Sequence, residues 1–292
     1  MIDYTNHIHN LQNFYEIKGL SKEDSIFYSL EKIKKLQLSS GPFSYESWLN
    51  KLIPSIKKEI NMLSSDAIVV DFGCGSGEMV ILMRSLGIRA YGYDIYKEEV
   101  EIAEKLALSN GFDEALFFSK KEDLFNHLGN QKIAILASFS VLEHLSDQHF
   151  LAKLDDFYEY IDGCIFAVVP SKYKITDDHT GLKFLGLFPR SISQLIVSIA
   201  RNQYKLSETG DWDVWYRSIS DFKKLSASRN MDLKLVDDSV MYPSLLEVSR
   251  IGESNRISLG GFIEKGYGFL VKLLTRNKEN LYPYLNIIIK KR

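Results

Sequence analysis

The sequence predicts an α/β fold, and three observations carry that prediction. First, a short apolar run, Ala67 to Val70, opens into Asp71-Phe72-Gly73-Cys74-Gly75-Ser76-Gly77, after which Met79, Val80, Leu82, Met83 and Leu86 recur at helical spacing. Strand, glycine-rich turn and helix in that order begin a βαβ unit. Second, Ala90-Tyr91-Gly92-Tyr93 reads as another strand, closed by Asp94 and followed by the helical pattern Val100, Ala103, Leu106, Ala107, which stops at the cap signal Asn110-Gly111. Third, strand-like runs keep returning between helical patterns: Leu116 to Phe118, Ile133 to Phe139, Cys164 to Val169, Leu233 to Val236 and Tyr284 to Ile289. Such alternation builds a sheet covered by helices.

Residues 1–65, ahead of the first strand, read as a helical cap. One helix is expected from Lys22 to Leu36. A second follows the N-cap candidate Ser44, with Tyr45, Trp48, Leu49, Leu52, Ile53, Ile56 and Ile60 on one side. Gly41-Pro42 marks the loop between them, and Pro54 predicts a kink or break. These helices either cover a site or pad the sheet. Residues 66–292 then form the main domain, with an insertion over 182–217 and additions over 241–280, where Phe262, Leu270, Leu273 and Leu274 suggest a helix.

Composition narrows the function classes. Of 292 residues, 45% are hydrophobic and 25% charged, enough apolar surface for a packed core and unlike a disordered chain. Lys and Arg total 36 against 38 Asp and Glu, a net charge of -2 that gives no general attraction to nucleic acid. The terminal Lys290-Lys291-Arg292 reads as a solvated tail. Cys74 and Cys164 cannot make a disulfide framework and read as buried thiols in a reducing compartment. The first ten residues lack the basic and apolar regions of a secretory signal. Phe184 to Ala200, the most apolar stretch, is interrupted by Pro189, Arg190 and four other polar residues, so no transmembrane segment is expected and the expected location is cytoplasmic.

The glycine cluster carries the chemistry. Glycines permit a sharp turn and let backbone N–H groups approach a ligand, where a side chain at Gly73 or Gly75 would fill the ligand's space. An acid about 20 residues on, Asp94, suits a ribose diol, because a carboxylate accepts both hydroxyl hydrogens. The dinucleotide pattern G-x-G-x-x-G needs a sixth-position glycine, but Glu78 stands there and would repel a pyrophosphate at the helix N-terminus. A nicotinamide oxidoreductase is therefore disfavoured, and acids on both sides of the glycines suit a ligand with a neutral or cationic tail.

Val70-Asp71-Phe72-Gly73-Cys74-Gly75-Ser76-Gly77, Tyr93-Asp94 and Ser140-Val141-Leu142-Glu143-His144-Leu145 together resemble, in order and spacing, the motifs of class I S-adenosylmethionine (SAM)-dependent methyltransferases, in the branch acting on small molecules. The likeness is firm over roughly 67–145. It implies a Rossmann-like seven-stranded sheet with helices on both faces and a SAM cofactor held by Asp71, Gly73, Cys74, Gly75, Gly77 and Ser138. By the same resemblance the glycines pass under the methionine part, Asp94 holds the ribose and Ile95 packs on the adenine. The family's adenine-contacting acid aligns with Lys120, which cannot accept a hydrogen bond; Glu122 or Asp123 could serve, or belong to an exposed turn. In the ubiquinone-pathway O-methyltransferases, a Glu three residues before the Glu-His pair helps to bind a metal. Ser140 stands there, and Glu143 and His144 alone hold a metal poorly, so none is expected.

Methyl transfer from a sulfonium requires an aligned acceptor, and a hydroxyl acceptor benefits from a base. The candidate catalytic residues are His144 with Glu143 beside it, and His179 in the loop Thr176-Asp177-Asp178-His179-Thr180-Gly181, where Asp177 or Asp178 could orient the imidazole. Each histidine also has a plain structural reading, as a helix-start hydrogen bond and a solvated loop. Residues 182–217 combine an apolar, helical-looking stretch with Asp211-Trp212-Asp213-Val214-Trp215-Tyr216-Arg217, and Trp212, Trp215 and Tyr216 are candidates for an acceptor pocket. His179 to Pro189 also resembles methyltransferases of cell-surface glycan pathways. The expected partner is thus a small-molecule or glycan-type acceptor. Two alternatives remain: a non-catalytic SAM-binding or interaction protein, and a nucleic-acid methyltransferase, which the neutral charge and the absence of a Pro-Pro-Tyr motif at Ser138-Phe139-Ser140 disfavour.

Overall fold

The computed structural model describes residues 4–23, 25–26, 29–30, 32, 48–61, 66–112, 115–200, 213–236, 259–276 and 278–292. Gly41-Pro42, Ser44 and Trp212 lie outside the described residues. Seven strands form one sheet: β1 (Ile68–Phe72), β2 (Arg89–Tyr93), β3 (Phe117–Phe118), β4 (Ile133–Phe139), β5 (Ile161–Pro170), β6 (Met231–Leu235) and β7 (Tyr284–Lys291). Their order is β3-β2-β1-β4-β5-β7-β6. β1 runs parallel to β2 and β4, and β2 parallel to β3, whereas β6 and β7 pair antiparallel. This is the mixed seven-stranded, Rossmann-like sheet the sequence predicts.

The backbone divides into two compact units, Met1–Phe139 with Glu159–Phe166, and Ser140–Tyr158 with Ala167–Arg292. In the first unit, α1 (Thr5–Ile17) packs on the helix between β2 and β3, α4 (Lys97–Ser109). Lys22, Glu23, Ser25, Ile26, Ser29, Leu30 and Lys32 are helical. A π-helical turn, Trp48–Leu52, passes into α2 (Ile53–Asn61). The change of helix type falls just before Pro54. Proline is tolerated there, in the first turn of α2, where its missing N–H costs no helical bond. α3 (Glu78–Ser85) follows the glycine turn, α4 ends at Asn110 with Gly111 at φ 80°, and α5 (Lys121–Leu128) precedes β4. Val69, Val70, Ile81, Met83, Leu106 and Leu124 form the centre of this unit, each 0% exposed.

In the second unit a 3-10 turn, Leu142–His144, leads to α6 (Asp147–Tyr158). The apolar stretch from Phe184 is not one helix. It splits into a 3-10 turn, Leu185–Leu187, and α7 (Arg190–Ala200). Two local facts explain the split: Phe184 sits at φ 64°, and Gly186 is so close to the Lys172 carbonyl oxygen that a Cβ would stand 2.2 Å from it. α8 (Ile219–Ala227) opens with a capping box, Ser218 accepting from the Asp221 N–H while the Asp221 carboxylate accepts from the Ser218 N–H. α9 (Leu259–Thr275) precedes β7. Phe150 and Phe222 meet edge to face at 5.9 Å, and Leu185, Val197 and Val214 form a smaller apolar cluster. Among the described residues no helix is long and apolar enough to cross a membrane.

Candidate active site

In the first unit the glycine turn is built from backbone bonds that converge on the end of β2. Gly73, Gly75 and Gly77 have φ of 76°, 50° and 86°, a region that side-chain-bearing residues rarely occupy. The Gly73 N–H donates to the Tyr93 carbonyl at 2.7 Å and the Gly77 N–H to that of Cys74 at 3.0 Å. Asp94 locks the arrangement. Its Oδ2 accepts from the Gly75 N–H at 2.9 Å and its Oδ1 from the Tyr96 N–H at 3.0 Å. A carboxylate has about four lone-pair positions, so Asp94 keeps acceptor capacity after these two bonds.

Gly75, Gly77 and, in β2, Gly92 do different work. A Cβ on Gly75 would meet nothing nearer than Glu99 Oε2 at 4.0 Å, so that side of the turn is open. A Cβ on Gly77 would stand 2.7 Å from both Ala103 and Phe117, and one on Gly92 would strike Phe117 and Cys74. Gly77 therefore allows α3, α4 and β3 to approach one another. Cys74 is buried, and burial followed by the charge of Asp71 pushes its thiol pKa well up, which makes it an inert packing group.

Acids surround the turn. Asp71 is buried with one carboxylate oxygen unpartnered, and burial, then the charges of Asp94 and Glu78, push its pKa up to about 8. Burial also raises Glu99. Glu78 behaves in the opposite way. Its Oε1 lies 3.0 Å from His7 Nε2, 3.1 Å from Lys32 Nζ and 2.9 Å from Ser76 Oγ. Burial works against its ionisation, but Lys32 and His7 outweigh it and hold the carboxylate far below its ordinary range. Its charge is compensated, so it is not the free anion at a helix N-terminus that the sequence argument assumed. Ser138, at the end of β4, is 1% exposed with an unpartnered hydroxyl. Ile95 is 60% exposed after β2, and Glu122 and Asp123 are exposed in the first turn of α5.

The second unit gathers Glu143, His144 and His179. Glu143 lies in the 3-10 turn, 2% exposed, with Oε2 unpartnered; burial raises its pKa to about 7 against the lowering charge of His144. His144 Nδ1 meets Asp213 Oδ2 at 3.2 Å. Burial lowers the His144 pKa, but the Asp213 bond and the charge of Glu143 prevail and raise it. His179 packs edge-on against His144, ring centroids 4.9 Å apart, and burial with the neighbouring His144 charge lowers its pKa. One donor atom from each of Glu143, His144 and His179 falls within 4.8 Å of the others.

The loop carrying His179 is stiffly built. Asp177 Oδ2 accepts from the His179 N–H at 3.1 Å, the Thr180 N–H at 2.6 Å and the Thr180 hydroxyl at 2.7 Å, while Tyr216 donates to Oδ1. Asp178 takes Lys174 and the Tyr284 hydroxyl. Both acids are thus committed to bracing the loop, and the carboxylate that orients an imidazole is Asp213, on the other histidine. The segment after Asp213 pins the 3-10 turn. The Trp215 N–H donates to the Glu143 carbonyl at 2.7 Å, and buried Arg217 donates to the carbonyls of Leu142 at 2.9 Å and Leu145 at 2.5 Å and to Asp147 at 2.9 Å. Of the predicted aromatic wall, Tyr216 serves the loop through Asp177. Trp215 carries the Arg190 guanidinium 4.2 Å over its ring, beside a cavity of about 320 Å³ that Phe188, Lys172 and Lys224 also line.

Asp213, Arg217, Glu99, His7 and Lys32 were not singled out from the sequence. Only Asp213 and Arg217 had a local signal, as the polar residues flanking Val214-Trp215-Tyr216.

The family model described as a methyltransferase domain matches residues 45–189. That span holds the glycine turn, Asp94, Glu143, His144 and His179. The chain carries a class I SAM-dependent methyltransferase domain. No curated protein matches it. Among solved structures, the methyltransferase is similar to the plantazolicin methyltransferase in complex with S-adenosylhomocysteine (SAH), at 16% identity and a TM-score of 0.48 over 99% of this chain and 96% of that one. It is also similar to a SAM-dependent methyltransferase from Archaeoglobus fulgidus, at 14% identity and a TM-score of 0.47 over 89% and 98%. A third is the magnesium protoporphyrin IX methyltransferase of Synechocystis PCC 6803 with bound SAM, at 11% identity and a TM-score of 0.44 over 90% and 91%.

The residues of the first unit fit SAM. Asp94 has acceptor capacity for a ribose, the Gly75 side of the turn is open, and the acids Asp71 and Glu99, whose pKa values are raised by burial and by neighbouring negative charge, favour a ligand that brings positive charge. A diphosphate would add negative charge to the same place.

Proposed function

We propose that the methyltransferase transfers the methyl of SAM to a hydroxyl of a small-molecule or glycan-type acceptor, with the cluster of Glu143, His144 and His179 promoting loss of the hydroxyl proton. SAM supplies a methyl group already activated by its positive sulfur, which keeps the C–S electron pair as the acceptor oxygen forms the new C–O bond. Asp94 and the open side of the turn at Gly75 hold the ribose and the methionine part, with Asp71 and Ser138 in support. The observation that carries the hydroxyl reading is the Asp213–His144 contact beside Glu143 and His179. An amine acceptor with a free lone pair needs no such apparatus, whereas a hydroxyl gains from groups that take its proton or stabilise its anion. Cys74 and Cys164, both buried and neither in a disulfide, accord with a reducing compartment.

The test is turnover against a panel of hydroxylated and amine acceptors, read as SAH formed. Replacing His144 with Ala should lower turnover on the accepted hydroxyl compound by about 10²–10⁴ and leave SAH affinity within about twofold. A preference for amines, or full activity of that variant, would overturn the reading. SAH bound with no turnover on any acceptor would favour the non-catalytic alternative.

A further inference from the structure

We propose that Glu143, His144 and His179 form a binding site for one divalent transition-metal ion of the zinc class. This deepens the function proposed above and rests on it, since the ion would act on the same acceptor hydroxyl. The sequence argued against a metal because Glu143 and His144 alone are two ligands. The fold supplies a third from 35 residues downstream. His179 is delivered by a loop held through Asp177 and Asp178, and the three donor atoms lie within 4.8 Å of one another.

The donors suit this ion class. One carboxylate and two imidazoles match the N/O preference of zinc, cobalt, manganese or ferrous iron, whereas calcium and magnesium favour oxygen alone. Tetrahedral geometry at zinc puts neighbouring donors about 3.3 Å apart, so separations of up to 4.8 Å need to close by at most about 1.5 Å, within reach of side-chain torsional changes. Three protein ligands leave a fourth position open, the pattern of a catalytic rather than a structural site. An ion there would ease proton loss from an oxygen placed in that position.

Two further observations point to a cation. Glu143 Oε2 is buried and unpartnered, a costly state that a metal bond would relieve. Asp213 accepts at His144 Nδ1; as a carboxylate can only accept, the proton of the neutral ring sits on Nδ1 and leaves the Nε2 lone pair for a metal. The local charge agrees. Glu143, Asp177, Asp178 and Asp213 all act on the two histidines or on Glu143, and the nearby cations are committed, Lys174 to Asp178 and Arg217 to Asp147.

The experiment strips the full chain with a chelator and titrates it with Co²⁺, read by visible absorption, and with Zn²⁺, read by calorimetry. One ion per chain is expected, with the absorption of a four- or five-coordinate site. Glu143→Gln and His179→Ala should each weaken binding by at least tenfold. Asp213→Asn should weaken it by about 10–100-fold, as expected of a group that orients a ligating histidine. His149→Ala, at an exposed histidine outside the cluster, should change nothing. Circular dichroism and SAH binding serve as folding controls, so a variant that fails to fold is replaced by His179→Gln. Binding that is unchanged by every cluster substitution, or no stoichiometric binding, would overturn the proposal. If the stripped protein binds no ion yet methylates a hydroxyl at full rate, the metal falls and the methyl-transfer reading stands. Failure to turn over any acceptor despite tight metal binding would strike the function instead.

Discussion

Replacing Asp94 with Asn keeps the size of the side chain and removes its charge. In the structure its two oxygens accept from Gly75 N–H at 2.9 Å and Tyr96 N–H at 3.0 Å. An asparagine can retain one of these bonds, but its NH₂ group then faces the other N–H, donor against donor. Hydrogen bonds to charged groups contribute about 1.5–3 kcal/mol each, so the fold should lose about that much. Alanine would lose both bonds, about 3–6 kcal/mol, a large part of the 5–15 kcal/mol that holds a typical domain, which makes Asn the better variant. If the carboxylate also holds the ribose, losing one charged bond there weakens SAM by about 10–100-fold, at about 1.4 kcal/mol per factor of ten. Calorimetric titration with SAM and SAH measures the second effect, and a thermal melt without ligand measures the first. A folded Asp94→Asn protein with unchanged SAM affinity would refute the ribose assignment. Tight binding of NAD by the unaltered chain would refute the cofactor reading as a whole.

Gly77→Ala should destabilise the protein by several kcal/mol, from the positive φ and the contacts at 2.7 Å with Ala103 and Phe117; a melting temperature like that of the parent would show that the packing relaxes freely. Asp71 gives a pH dependence of defined sign. Its folded pKa of about 8 lies above the ordinary 3.8, so the unfolded chain releases the proton first and stability should fall as pH rises between those values. Asp71→Asn cannot ionise and should flatten that fall in denaturant titrations run from pH 5 to 8; an unaltered pH profile would count against it. Arg217→Lys keeps the charge but not the fork that holds the carbonyls of Leu142 and Leu145, so turnover should drop at least tenfold while SAH affinity holds; equal losses in both would mark Arg217 as a general folding element.

The parts of this protein that could be read from its sequence are those in which neighbouring residues determine backbone shape. The β1–glycine turn–α3 passage is one, because periodicity and glycine content act within a dozen residues. The Asn110-Gly111 stop is another. What could not be read depends on which side chains the completed fold brings face to face. Asp213 reaches His144 across 69 positions and Arg217 reaches Leu142 across 75, and nothing in either neighbourhood specifies the partner. The glycine motif shows the same limit in miniature. It announced three glycines for a ligand, but only the structure separates Gly75, with open space beside it, from Gly77, which is small because Phe117 and Ala103 leave no room. Phe184 to Ala200 looked continuous from its apolar content, whereas Pro189 keeps Phe188 extended between the two helical pieces and the approach of Gly186 to the Lys172 backbone fixes the turn before it.

The ion pair beneath the glycine turn bears on how this protein can be shortened. Glu78 opens the helix that follows the turn, and its two counter-charges, His7 and Lys32, come from the first thirty-odd residues of the chain. A protein trimmed to the family-matched span would begin at residue 45 and lack both. It would bury a carboxylate with no cation beside it, a change that in buried pairs costs about 3–5 kcal/mol. The region that family likeness marks out is therefore smaller than the region that folds. The leading helices belong to the half that carries the glycine turn as counter-ions do to a salt, and they must be kept for that turn to keep its shape.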